Sequence, residues 1–197
     1  MRIIKPLNFD WKYKSCFKDV DIEENSFEHY EQVNFPHSNI ELPYNNFNEE
    51  TYAFISCYKK VIKISDDYRD KDIFISFEGV ANYAKVYVNG QFAGEHKGGY
   101  TPFDIKIDNL VSFNEDNVIT VVVDSTEREE VPPFGNVVDY LTYGGIYREV
   151  SLKILDKIHI DNIFIKTEDV LKKNKKINIE IQLSKKGKRY FTGSRTY

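Results

Sequence analysis

The sequence predicts an all-β protein, a β-sandwich, and three observations carry that prediction. Apolar residues recur with a period of two, turn residues punctuate the chain at about 8–12-residue intervals, and no apolar repeat of helical spacing outlasts about two turns. The composition can fill a core: 41% of the 197 residues are hydrophobic and 15% aromatic, with 14 Tyr and 14 Phe. A disordered chain carries far fewer aromatics than this.

The strands read out in order. Residues 52–64, Tyr-Ala-Phe-Ile-Ser-Cys-Tyr-Lys-Lys-Val-Ile-Lys-Ile, are rich in β-branched and aromatic side chains, which pack well on a pleated surface. Residues 72–78 alternate Ile73, Ile75 and Phe77 against Asp72, Phe74 and Ser76. Ala84-Lys-Val-Tyr-Val88 runs into Asn89-Gly90 and then Gln-Phe-Ala. Asn-Gly between two such runs predicts a hairpin with a type I′ turn, because that turn needs positive φ at both positions. Residues 118–123, Val-Ile-Thr-Val-Val-Val, read as a strand buried on both faces or against a second sheet, and Glu149-Val-Ser-Leu-Lys-Ile154 alternates again. A boundary is expected near Asp156, giving one domain over 1–155 and a second over 156–197. In the second, Ile158–Ile165 and Ile177–Leu183 form two more alternating strands around a lysine-rich turn. Two strands do not make an independent domain, and residues 185–197 carry no pattern that closes a fold, so the chain reads as ending inside a second β-domain.

Charge and composition exclude several functions. The net charge of −4 supplies no basic field for a phosphate backbone, so no nucleic-acid partner is expected. Lys172-Lys-Asn-Lys-Lys176 reads as a solvated turn. Cys16 and Cys57 are the two cysteines, too few for a disulfide scaffold or a zinc site, and both are expected to be buried free thiols in a reducing compartment. No signal-peptide apolar stretch, membrane-length run or Asn-X-Ser/Thr sequon occurs, which accords with a cytoplasmic protein and no membrane partner. No Cys/His/Asp grouping has metal-ligand spacing, so neither metal nor cofactor is expected.

Two Gly/Tyr-rich corners make the sequence specific. The segment Phe77-Glu-Gly-Val-Ala-Asn-Tyr-Ala-Lys-Val-Tyr-Val-Asn-Gly90, followed by Gly94-Glu-His-Lys-Gly-Gly-Tyr-Thr-Pro-Phe103, closely resembles glycoside hydrolase family 2, the β-galactosidase and β-glucuronidase family. Val33-Asn-Phe-Pro-His37 is similar to that family's early Val-x-Leu-Pro-His element. Tyr58-Lys-Lys60 stands where the family has Tyr-Arg-Lys. Pro132-Pro-Phe-Gly135 and Asp139-Tyr-Leu-Thr-Tyr-Gly-Gly-Ile-Tyr-Arg148 match the stretch that closes its N-terminal sugar-binding jelly roll. The resemblance covers roughly residues 9–155 and implies that an immunoglobulin-like sandwich begins after it, followed by a (β/α)₈ barrel that carries the chemistry. That barrel has no counterpart here. A retaining glycosidase needs two carboxyl groups about 5–5.5 Å apart, and the acidic cluster Glu127, Glu129 and Glu130 reads as a solvated loop. No catalytic residue is expected in this chain.

The resemblance singles out Asp139, seven residues before Ile146, as a substrate-binding residue: in the family an aspartate at this spacing reaches into the active site and accepts hydrogen bonds from sugar hydroxyls. The residue chemistry suits that role, since charge-assisted hydrogen bonds are about twice as strong as neutral ones; the same Asp could instead stabilise its own turn. Gly98, Gly99, Gly144 and Gly145 are read as corner residues, Tyr100 and Phe103 as edge packing, and His37 and His96 as structural. Arg148 is expected to pair with an acid within the sandwich or across a domain contact. The leading expectation is the non-catalytic N-terminal part of a β-galactosidase-like retaining enzyme, whose partners are a terminal β-glycoside and the missing barrel, with unfinished sheet edges that leave room for a homo-oligomer. The alternatives are a free-standing carbohydrate-binding module, which would show exposed aromatics on one concave face, and a β-glucuronidase or β-mannosidase parent. The Glu95–Phe103 stretch resembles β-glucuronidases particularly well.

Overall fold

The computed structural model describes residues 2–24, 26–41, 45, 51–132 and 143–184 in full, and 188–196 as backbone. The chain divides into two compact units, 2–154 and 155–197. The first is a sandwich of two sheets. One carries four strands in the order β1 (Arg2–Pro6), β10 (Val150–Asp156), β5 (Lys71–Phe77) and β8 (Phe103–Lys106). The other carries six, in the order β3 (Glu31–Val33), β2 (Trp11–Lys14), β4 (Ile55–Lys63), β9 (Asp116–Asp124), β6 (Tyr83–Val88) and β7 (Gln91–Lys97). The first sheet is built from strands far apart in sequence, as a jelly roll requires.

Period-two patterning places the core. Ile73, Ile75 and Phe77 of β5 and Val150, Leu152 and Ile154 of β10 face Ala84, Val86 and Val88 of β6 and Ile119, Val121 and Val123 of β9, all buried in one cluster. Trp11 and Tyr58, both fully buried, complete it from β2 and β4. The Asn-Gly prediction holds in detail: φ is 51° at Asn89 and 78° at Gly90, and β6 pairs antiparallel with β7 across them.

The outer face of the six-stranded sheet holds a feature that the sequence reading passed over. Lys59 is fully buried there, in register with Thr120 of β9. Its ammonium donates to the carbonyl of Glu24 and lies 6.0 Å from the ring centre of Phe27 and 5.5 Å from that of Tyr30. A 3-10 turn, Asp19–Ile22, brings Asp21 into the same neighbourhood. Its buried carboxylate accepts from Lys14 Nζ at 2.6 Å and from the Lys18 amide at 2.7 Å. Burial costs these charges their hydration, and hydrogen bonding within the cluster offsets that cost.

The second unit is a three-stranded antiparallel sheet, β11 (Ile160–Glu168), β12 (Asn174–Leu183) and β13 (Lys188–Thr196). Strand β13 adds to what the sequence shows of residues 185–197. Its pairing with residues 174–182 of β12 supplies the backbone partner that makes it a strand, an effect invisible in a Lys/Gly-rich segment read alone. The lysine-rich turn is exposed as expected, with Lys172 Nζ 2.9 Å from Asp169. Of the two free thiols only Cys57 is buried; Cys16 is exposed, because the chain has left the β2 ladder two residues earlier. Among the described residues no helix is long and apolar enough to cross a membrane.

Candidate functional site

The two Gly/Tyr corners meet at one end of the sandwich. Gly145 and Ala81 exchange backbone hydrogen bonds of 3.0 and 3.2 Å, the Gly98 amide donates to Asn82 O at 2.9 Å, and the Tyr147 hydroxyl donates to Gly99 O. His37 and Asn39 run beside the second corner: the His37 amide donates to Ile146 O at 2.9 Å and the Asn39 amide to Gly144 O at 3.0 Å. Glycine is required here by contact as well as by backbone angle. At Gly145 φ is +113°, and a Cβ would lie 2.6 Å from His37 O; at Gly144 a Cβ would lie 2.3 Å from Ser125 Cβ and 2.6 Å from Asn39 Nδ2.

Behind Gly144 sits a buried polar node. Asn39 Nδ2 donates to Tyr52 O at 2.9 Å and to Ser125 Oγ at 3.0 Å, and the Tyr13 hydroxyl donates to Asn39 O at 2.7 Å. Ser125 Oγ also bonds to the backbone of Phe54. These bonds bind four separate chain segments into one floor, and Asn39 Oδ1 is left with no hydrogen-bond partner among the described residues.

Above the floor opens a groove of about 670 Å³ lined by Tyr13, Glu31, Pro36, His37, Ser38, Asn39, Ile40, Glu41 and Tyr143. Glu31 is brought there by the β2–β3 ladder, which pairs it with Tyr13, and the ring of His37 packs 4.8 Å from that of Tyr13. His37 Nδ1 stands 2.9 Å from the Tyr58 hydroxyl. Burial drives the Tyr58 pKa well above the ordinary range, and its oxygen accepts from the Ile146 amide. Tyr58 therefore keeps its proton, and with the phenol as donor to Nδ1 the imidazole proton sits on Nε2. Burial lowers the His37 pKa, with Glu31 opposing, so the ring is neutral at neutral pH and offers an N–H donor. Lining carboxylates, hydroxyls, an amide and an exposed tyrosine ring make a surface that can hydrogen-bond a polyhydroxylated ligand.

The predicted site residues divide. Asp139 lies outside the described residues; the stretch that contains it is flanked by buried Val131 and by Tyr143, on the rim of the groove. His96 is structural, with Nε2 2.8 Å from Thr101 Oγ1 and its ring stacked on Phe103 at 4.3 Å. Phe103 stacks in turn on Phe77 at 4.9 Å, which confirms it as packing. Tyr100 is 53% exposed and meets Tyr147 edge-on at 6.4 Å. Arg148 is exposed, and its guanidinium lies 5.3 Å from the Tyr147 ring centre, a cation–π contact. Glu130 is exposed and pairs with Arg128 and, at 3.6 Å, Lys97, which fits a solvated loop. Among the described residues no group of three or more His, Cys, Asp or Glu side chains is placed to hold a metal. Sequence reasoning missed Glu31, Glu41 and Tyr143, and took His37 as structural only. The signal was partial: Pro36-His37 and Tyr58 were recognised, but their hydrogen bond is a tertiary contact.

With this geometry in place, comparison with known proteins is decisive. The pattern of the "Glycosyl hydrolases family 2, sugar binding domain" matches residues 6–156. The chain belongs to glycosyl hydrolase family 2. It is 51% identical over 184 residues to a β-galactosidase of Thermoanaerobacterium thermosulfurigenes, covering 93% of this chain and 26% of that protein. It is 45% identical over 169 residues to a β-galactosidase of Thermoanaerobacter pseudethanolicus, covering 83% and 22%. The fold superposes on a calcium-binding mutant of Bacteroides uniformis β-glucuronidase 2 with a TM-score of 0.83 at 24% identity, over 93% of this chain and 22% of that one. The family 2 chain thus spans about a quarter of the length of the curated relatives it matches.

Proposed function

We propose that this chain is the N-terminal, non-catalytic part of a retaining β-galactosidase-like enzyme, in which it supports and borders the active site of a (β/α)₈ barrel. The observation that carries this reading is the 51% identity to a β-galactosidase over 93% of the chain. Residues 156–197 would begin the immunoglobulin-like sandwich of such an enzyme, and the setting would be cytoplasmic. Asp139 would accept hydrogen bonds from hydroxyls of the terminal sugar.

The test of Asp139 belongs in the barrel-bearing enzyme. Loss of a charge-assisted hydrogen bond costs about 1.5–3 kcal/mol, so Asp139→Asn should lower kcat/KM by roughly 10- to 150-fold while the melting temperature stays within about 2 °C of wild type. Lost stability with unchanged kinetics would return Asp139 to the role of a turn residue. Chain 1–197 alone should not turn over nitrophenyl glycosides, because the covalent route needs two facing carboxyl groups; turnover that persists through repurification and scales with the chain would refute the assignment. A β-glucuronidase parent is the alternative, and a series of aryl glycosides separates the two. The free-standing binding module has less support: the exposed aromatics among the described residues, Phe9, Phe92, Tyr100, Tyr143 and Phe164, do not line up along one strand.

A further inference from the structure

We infer that the groove over Pro36–Glu41 is itself a sugar subsite, one that takes a neutral pyranoside and rejects a uronate. The inference deepens the proposed function but stands on residues other than Asp139. Six groups carry it: Glu31, His37, Ser38, Asn39, Glu41 and Tyr143.

The groove is built to accept protons from a polyol. Both charged groups on its described wall are carboxylates, Glu31 and Glu41, and no Lys or Arg lines it. Sugar hydroxyls donate well to carboxylates, whereas a uronate brings a third negative charge and no counter-charge lines the groove among the described residues. Asn39 lines the groove, is 5% exposed, and its buried Oδ1 has no partner among the described residues; a buried amide oxygen of this kind normally finds a donor. The His37 ring adds the complementary group, an Nε2–H with no partner among the described residues, aligned through the Nδ1–Tyr58 hydrogen bond. Tyr143 is 47% exposed and provides the apolar ring face on which the C–H side of a pyranose packs. Donor, acceptors and platform together match the two-sided chemistry of a pyranoside.

The charge term sets the expected discrimination. An exposed charge contact changes affinity by about 1.4- to 5-fold, so two carboxylates should weaken a uronate by about 2- to 25-fold relative to the neutral sugar. The experiment is a ¹H–¹⁵N NMR titration of chain 1–197 with methyl β-D-galactopyranoside and, separately, methyl β-D-glucopyranosiduronate at low salt. The neutral glycoside should shift Ser38, Asn39, Glu41 and Tyr143 amides saturably, with the uronate weaker by the factor above. Glu31→Gln with Glu41→Gln, both on exposed positions, should close most of that gap. Equal affinities in the wild type, an unchanged gap in the double variant, or no shifts up to the solubility limit would each overturn the inference. Failure of the Asp139→Asn kinetics with these shifts intact would overturn the proposed function and leave the subsite standing.

Discussion

Gly144→Ala is the sharpest test of how the site end is held together. A Cβ at this position would lie 2.3 Å from Ser125 Cβ and 2.6 Å from both Ser125 Oγ and Asn39 Nδ2. Carbon atoms pack best at about 3.5–4.0 Å, so Ser125 and the Gly144 backbone must separate by more than about 1 Å. Neither neighbour is free to yield. Ser125 is 2% exposed and bonds Phe54 through its amide at 3.1 Å and its hydroxyl at 2.7 Å, and Asn39 holds Tyr52. Overpacking costs about 1–3 kcal/mol, and loss of two buried hydrogen bonds adds about 0.5–1.5 kcal/mol each. The sum is about 2–6 kcal/mol, or a fall in Tm of roughly 4–24 °C for a chain of this size. Urea unfolding followed by Trp fluorescence reads it cleanly, because Trp11 is the single tryptophan and is fully buried in the sandwich core. Gly90→Ala is the control: φ is +78° but no atom lies closer than 3.8 Å to the added Cβ, so only the left-handed backbone cost of about 1–2 kcal/mol applies. A Gly144→Ala loss below about 1 kcal/mol, or one no larger than that of Gly90→Ala, would refute the crowded-node argument.

Three further outcomes follow from the buried polar cluster and the thiols. Lys59→Met should cost under about 1.5 kcal/mol, since a buried apolar stem of similar length is retained, whereas Lys59→Ala should cost about 2–5 kcal/mol; equal losses in urea melts would contradict this. Asp21 sits in the pH profile: burial opposes its charge, but Lys14 and the Lys18 amide prevail and hold its pKa below the usual carboxylate range. A carboxylate depressed on folding stabilises above its unfolded pKa, and that contribution is lost as pH falls through the folded value, so stability should decline below about pH 4. Asp21→Asn should cost about 1.5–3 kcal/mol at neutral pH and flatten that acid limb; an unaltered limb counts against the assignment. A thiol reagent at pH 8 should label Cys16 quickly and Cys57 only on unfolding, because burial pushes the Cys57 pKa up to about 11. Equal labelling rates for the two would mean the outer face is open.

How much was legible in the sequence follows from the range of each interaction. Strand positions, the Asn89-Gly90 turn and the core-facing residues of β5, β6, β9 and β10 were readable, because period-two burial and positive φ are written locally. The family was readable too, since its corner motifs fall in order along 9–155. Other features were decided only by tertiary structure. Lys59 reads as a solvated strand lysine until Asp19–Ile22 and Tyr30 cover it. The last strand, β13, exists by virtue of pairing with β12, a long-range gain that no local propensity records. The groove is the clearest case. Glu31, His37, Asn39 and Tyr143 are spread over more than a hundred residues and acquire a shared chemistry only where the Gly144-Gly145 corner closes against residues 37–39. Sequence determined which side chains were available and which face of each strand they would take. The fold decided which of them lost their water together, and burial and proximity are what turn an ordinary histidine and a buried amide into a candidate site.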